Sequence, residues 1–177
     1  MKIPHKYIST SGQIAMATTA ADLVIFCLSN PAASGKMARL TKLQAVTGFG
    51  GTAAATRQQF ALFRGTGTSA GGSGNKATSA LGKINRGSPD SVCTLRYGPT
   101  AITGLTADGG GDMYGFFVSH QNAPGPQEVN LIDVKDWEKD RGLWLPANYS
   151  VAAITRVAAS VAGEIVTFNA EWEESTG

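Results

Sequence analysis

Near the C-terminal end of the sequence, apolar and polar residues alternate without a break. Val166, Phe168, Ala170 and Trp172 are apolar, and Thr167, Asn169, Glu171 and Glu173 between them are polar. A period of two is the pattern of a β-strand with one face buried and one face wet, so this segment is predicted as a strand with Trp172 in the core. No segment of comparable length carries a convincing helical stripe. The chain is therefore predicted to be all-β, with short strands joined by glycine-rich connections.

The remaining hydrophobic runs fit that reading. Leu23-Val24-Ile25-Phe26-Cys27-Leu28 is apolar on both faces, which predicts a central strand, and Asn30-Pro31 ends it. Within 36–48, Leu40, Leu43 and Val46 recur at intervals of three. That spacing suits a helical turn as well as a strand, and Thr41, Val46, Thr47 and the flanking glycines favour the strand. Residues 58–64 are a strand with Phe60 and Leu62 on one face, and 65–76 a Gly/Ser/Thr loop. Ser88-Pro89-Asp90 has the form of a helix start, with Ser as N-cap and Pro first in the helix, and Pro99 ends that segment. Tyr114, Phe116 and Val118 share a face of another strand, with Gly115 as a candidate bulge. Residues 120–127 form a loop containing Pro124 and Pro126. Short strands follow at 129–134 and 142–145. Residues 149–157 and 164–173 are predicted as the closing pair, joined by an antiparallel hairpin at 158–163.

This amounts to about eight or nine strands, the pattern of an antiparallel β-sandwich of jelly-roll type. Residues 1–20 are predicted as an extended N-terminal arm, either loose or tied down by pairing with a sheet or a neighbour. Residues 21–177 form a single sandwich domain.

Composition narrows the function classes. The net charge is +2, charged residues make up 16% of the chain, and neither sign forms a block. A nucleic-acid binder would show a basic footprint, and none is present. Low charge also fits a surface partly covered by a partner. No apolar stretch reaches the roughly 18–20 residues that span a bilayer, and the N-terminus has no signal-type apolar run. A chain made and folded in a cytoplasm is the expectation. Cys27 and Cys93 are the only cysteines. Cys27, inside an apolar run, reads as a small buried hydrophobe; a disulfide between the two is open at this point.

The chemical motifs all fail on inspection. Gly65-Thr66-Gly67-Thr68-Ser69-Ala70 fits G-x-G-x-x-A, but Gly71-Gly72-Ser73-Gly74 follows where a phosphate-binding helix must start. Asn75 before Lys76 removes the P-loop reading. Asp136, Glu138 and Asp140 are spaced like the first ligands of a calcium loop, but Arg141 replaces its glycine and Ala147 its glutamate. Asp108-Gly109-Gly110-Gly111-Asp112 reads as a turn with two solvated carboxylates. His5 and His120 have no nucleophile elbow to serve. No catalytic, cofactor-binding or metal-binding residue is assigned, and the protein is not expected to be an enzyme. Trp137 and Trp144 flank a charged loop, where an exposed indole serves as a sugar platform or an interface anchor. With Tyr7 and Ile8 of the arm they are the candidate partner-contact residues.

Ala38-Arg39-Leu40-Thr41-Lys42-Leu43-Gln44-Ala45, leading into Gln58-Gln59-Phe60-Ala61-Leu62-Phe63-Arg64-Gly65-Thr66-Gly67, and later Trp144-Leu145-Pro146 and Glu171-Trp172-Glu173-Glu174, carry a resemblance. From about residue 38 onward the chain resembles small structural proteins of tailed bacteriophages. The resemblance implies a β-sandwich decoration, cement or minor capsid protein on the virion surface, bound to the major capsid protein and often a homotrimer. It would need no cofactor, nucleic acid or membrane, and would assemble in the host cytoplasm. The arm would then clamp the capsid or a neighbouring subunit. Two other classes stay open. One is a fibre-head or receptor-binding domain recognising a host glycan through Trp137, Trp144 and the 65–76 loop. The other is a small polysaccharide hydrolase with paired carboxylates such as Asp136 and Glu138.

Overall fold

The computed structural model describes residues 4–16, 21–49, 56–67, 74–76, 81–101, 103–120, 126–133, 142–157 and 163–176. Within them the regular structure is entirely β. In chain order the strands are β1 (His5–Thr10), β2 (Ile14–Ala15), β3 (Leu23–Asn30), β4 (Lys36–Phe49), β5 (Thr56–Gly67), β6 (Gly74–Lys76), β7 (Gly82–Lys83), β8 (Thr94–Ala101), β9 (Leu105–His120), β10 (Gln127–Asp133), β11 (Leu143–Leu145), β12 (Tyr149–Thr155) and β13 (Glu164–Thr176). They form two antiparallel sheets packed face to face, a β-sandwich. The first runs β10-β4-β13-β1-β7, with β11 also on β4 and β2 on β13; the second runs β6-β8-β3-β12-β5-β9.

The alternation at 166–173 does what its period requires. Val166, Phe168, Ala170 and Trp172 are buried between the sheets, and β13 pairs with β4 along its whole length. The spacing of three between Leu40 and Leu43 has a specific cause. The β4–β13 register shifts between Glu171 and Trp172, which face Lys42 and Leu40. Thr41 is the extra residue of a β-bulge, so Leu40 and Leu43 both point inward and both are fully buried. Phe168 lies at the centre of the core, 5.2 Å from the Phe26 ring and edge-on to Phe60 at 6.3 Å.

β3 is central, between β8 and β12. Both β3 and β12 are buried on both faces, because a second small cluster of Val24, Cys27, Phe63, Ala152 and Ile154 lies outside the main core, with Leu105 and Ala107 packed against it. This corrects the expected closing hairpin. β12 pairs with β3 and β5 in one sheet, and β13 with β4 and β1 in the other. The strand buried on both faces, β12, lies in the six-stranded sheet beside β3, and the strand with one wet face, β13, lies in the other. The chain changes sheets between Thr155 and Glu164.

Three further expectations resolve. Residues expected as an N-terminal arm are tied down: β1 lies inside the seven-stranded sheet, with Lys6 opposite Glu173 and Tyr7 opposite both Trp172 and Lys83. Ser88-Pro89-Asp90 starts no helix. The Ser88 hydroxyl is engaged by His5 Nδ1 at 3.0 Å instead of capping, and the Pro89 carbonyl accepts a hydrogen bond from the Tyr7 hydroxyl at 3.0 Å. In β9 the register shifts fall opposite Leu62 to Gly65, away from Gly115, which pairs regularly with Ala61.

Both cysteines are free and buried, Cys27 in the second cluster and Cys93 in the main core. Burial, then the Glu174 charge, pushes the Cys93 thiol well up, only partly offset by Lys36 and Ser91. A buried thiol with little thiolate is inert. A disulfide reagent is therefore expected to find no reactive thiol in the native protein and both thiols in denaturant. Fast reaction of one thiol under native conditions would contradict this placement.

Candidate functional site

The outer face of the seven-stranded sheet carries side chains in rows that run across the strands. In the first row, Lys6 of β1, Glu173 of β13, Arg39 of β4 and Trp144 of β11 stand opposite one another. Lys6 Nζ lies 3.3 Å and Arg39 Nη2 2.7 Å from the Glu173 carboxylate. The Arg39 guanidinium then sits 5.5 Å over the Trp144 ring. In the second row are Ile8, Glu171, Lys42 and Asp133, with Gly82 of β7 beyond Ile8. In the third are Thr10, Asn169, Gln44 and Asn130. Asn169 Nδ2 donates to Gln44 Oε1 at 3.2 Å, and Gln44 Nε2 donates to Glu128 Oε2 at 3.2 Å. Cross-strand pairs of this kind stiffen a sheet and fix side-chain geometry.

Between the second and third rows the face dips into an open groove of about 520 Å³. Ile8 and Gly82 form one flank, and Lys42, Gln44, Asn169 and Glu171 the floor.

A second polar cluster is buried at one end of the core. The Glu174 side chain is fully buried. Its carboxylate accepts hydrogen bonds from Ser91 Oγ, from the Val92 amide at 3.1 Å, the Cys93 amide at 3.3 Å and Trp172 Nε1 at 3.3 Å, and pairs with Lys36 Nζ at 3.2 Å. Burial by itself would raise the Glu174 carboxyl. The bonds from Ser91, Val92, Cys93 and Lys36 outweigh it and hold the group below 4.5. Tyr7, stacked on Trp172 at 5.8 Å, is pushed up to about 12 by its own burial and then by the Glu174 charge. The carboxylate itself is fully buried and its bonding is taken up by these donors. The cluster bolts the 84–93 segment to β13.

The candidate contact residues separate accordingly. Tyr7 is fully buried, so it is withdrawn as a partner contact: its phase in β1 points inward, against Trp172. Ile8, next in phase, is 44% exposed and lines the groove, and Trp144 is 41% exposed on the same face. Trp137 lies outside the described residues, as do residues 136–141 of the calcium-like loop. In the G-x-G-x-x-A run, Gly65 to Gly67 continue strand β5. Asp108 pairs with Arg64, Nη2 to Oδ2 at 2.9 Å. Among the described residues no three His, Cys, Asp or Glu side chains come together as a metal site.

Sequence reasoning missed Glu174, although the signal was present. The inward phase 166, 168, 170, 172 continues to 174, and a carboxylate on an inward position demands buried partners. Ser91 and Lys36 carried no such signal. No protein-family model matches the chain, and no curated protein matches it.

Proposed function

We propose that this chain is a virion structural protein, a decoration or cement protein that binds the outer shell of the major capsid protein and joins its own neighbours as a homotrimer. The observation that carries the reading is β9. Its sixteen residues lie at the edge of the six-stranded sheet, paired with β5 on one side, and among the described residues no strand takes the other side. Edge strands are usually blunted by lysine, proline or brevity. β9 contains no Lys, Arg or Pro. Register shifts opposite Leu62 to Gly65 interrupt this edge in its middle, and the regularly paired stretches on either side of them suit strand addition, in which a neighbouring chain supplies the missing hydrogen-bond partners. The rigid sandwich behind it suits a part that reinforces a shell, and the phage resemblance of residues 38 onward names the shell.

The test is immunogold or cryo-electron imaging of particles from the source lysate with an antibody to this chain. Dense regular labelling over the heads is expected. Label confined to tail tips would replace this reading with a receptor-binding one, and particles without label would remove both. The edge is tested with Thr106→Lys, an exposed position of β9. Shell binding is expected to weaken at least tenfold at an unchanged melting temperature, since about 1.4 kcal/mol of lost pairing is a factor of ten. Unaltered shell binding would show that the contact lies elsewhere.

A further inference from the structure

The groove on the opposite, seven-stranded sheet is unrelated to the β9 edge, and its chemistry is specific. We propose that it is a glycan-binding site that takes an uncharged sugar residue of an oligosaccharide.

Charge comes first. Lys42 and Glu171 face each other across β4 and β13, 3.9 Å apart and equally exposed at 37%. Their charges cancel, and Asp133 opposite Lys42 and Glu128 beside Gln44 add negative charge at the far side, so the face does not attract an anion. Their separation exceeds hydrogen-bond length, so the ammonium keeps its donors and the carboxylate its acceptors. Two neighbouring hydroxyls fit between such groups, one accepting from Lys42 and one donating to Glu171.

The amide row beside them has a fixed polarity. Glu128 only accepts, so Gln44 must turn its NH2 toward it and its carbonyl toward Asn169. Asn169 then spends an N–H on Gln44 and keeps Oδ1 as an acceptor at the groove. The groove therefore presents one cationic donor, one anionic acceptor and, oriented by the amide row, one neutral acceptor. That set matches a ring of hydroxyls, each of which can both donate and accept. It does not match a phosphate, which only accepts when fully ionised.

The flank supplies the apolar half. Ile8 is exposed, and its neighbour across the strand pair is Gly82, whose missing side chain leaves the Ile8 face open. A Cβ there would lie 2.8 Å from the Ile8 carbonyl oxygen, so the backbone approach excludes larger residues. A sugar ring has a C–H face for Ile8 and hydroxyl edges for the floor. The volume of about 520 Å³ falls within the range of small-ligand sites. The groove is an open trough, which admits an internal residue of a chain as readily as an end. Trp144, opposite Arg39 in the adjacent row, is a second exposed apolar group on the same face. Asn169 and Gln44 are held by the hydrogen bonds of the amide row and lose little side-chain entropy on binding, whereas Lys42 and Glu171 are ordered by the ligand.

The proposal is independent of the shell reading: a decoration protein or a receptor-binding head could carry such a site. The full chain, fluorescently labelled, is screened on an array of neutral and acidic glycans, and the strongest neutral ligand is titrated into isotope-labelled protein by NMR. Binding of neutral glycans is expected, with amide shifts concentrated at Ile8, Gln44, Asn169 and Glu171. Glu171→Gln and Asn169→Ala are each expected to weaken binding at least tenfold while the melting temperature stays within a few degrees. Array silence toward neutral glycans, a preference for acidic ones, or shifts mapping to another face would each overturn the proposal, and none of these results bears on where the protein sits on a particle.

Discussion

Glu174→Gln is expected to lower stability by about 3–5 kcal/mol, the cost of removing one partner from a buried, hydrogen-bonded ion pair. At this chain length that is a fall of roughly 6–20 °C in melting temperature. The reason is the number of donors aimed at the carboxylate: Ser91 Oγ, two backbone amides, the Trp172 indole and the Lys36 ammonium. A glutamine keeps the shape but turns an NH2 toward some of these donors and leaves Lys36 without its counter-charge. Unsatisfied buried donors cost their full desolvation. The pH dependence identifies the group. Its carboxyl is held below 4.5 in the folded protein. The stabilisation is therefore complete above 4.5 and is lost as pH falls below it, through the folded-state value. Urea denaturation at neutral pH and at about pH 3 checks both parts. The gap between wild type and variant is expected to narrow in acid. A neutral-pH difference under about 1 kcal/mol would show that the cluster is not the bolt described above.

Deleting residues 1–16 is expected to abolish the folded state altogether. A detachable arm would be dispensable, but these residues build β1 and β2. Tyr7, Ile14 and Met16 leave the core with them, all buried, and truncating one large core side chain alone costs about 2–5 kcal/mol. β13 also loses its partner on one side from Asn169 to Glu174. The summed loss reaches the entire ~5–15 kcal/mol that holds a typical domain together. The interior strand β13 becomes a long open edge, which predicts aggregation. Near-ultraviolet circular dichroism and size-exclusion chromatography of the truncated chain read the outcome. Adding a synthetic peptide of residues 1–16 is expected to restore the aromatic signal of the Tyr7–Trp172 stack. A soluble truncated protein that melts within a few degrees of the full chain would return these residues to the status of an arm.

Both experiments concern contacts that are remote in sequence, and the same distinction separates what could be read from the sequence from what could not. The alternation at 166–173, the doubly apolar run at 23–28 and the apolar setting of Cys27 determined, by themselves, an all-β chain, the wet face of β13, the central place of β3 and the burial of Trp172. Those properties depend on residues two positions apart, because the pleat fixes which neighbours share a face. Sheet membership does not. Whether β12 turns back onto β13 or crosses to β3 and β5 depends on how both faces of each sheet are covered, and that is a property of the whole packed domain. The spacing of three at Leu40 and Leu43 suited a helical turn as well as the favoured strand, and only the register with β13 shows that a bulge at Thr41 produces it. Ser91 meets Glu174 across 83 residues, and Asn169 meets Gln44 across 125. The tertiary structure alone decided the buried carboxylate's partners and the groove of Ile8, Lys42, Gln44, Asn169 and Glu171. Each of these groups is ordinary in its own strand and acquires its chemistry only from the strand beside it.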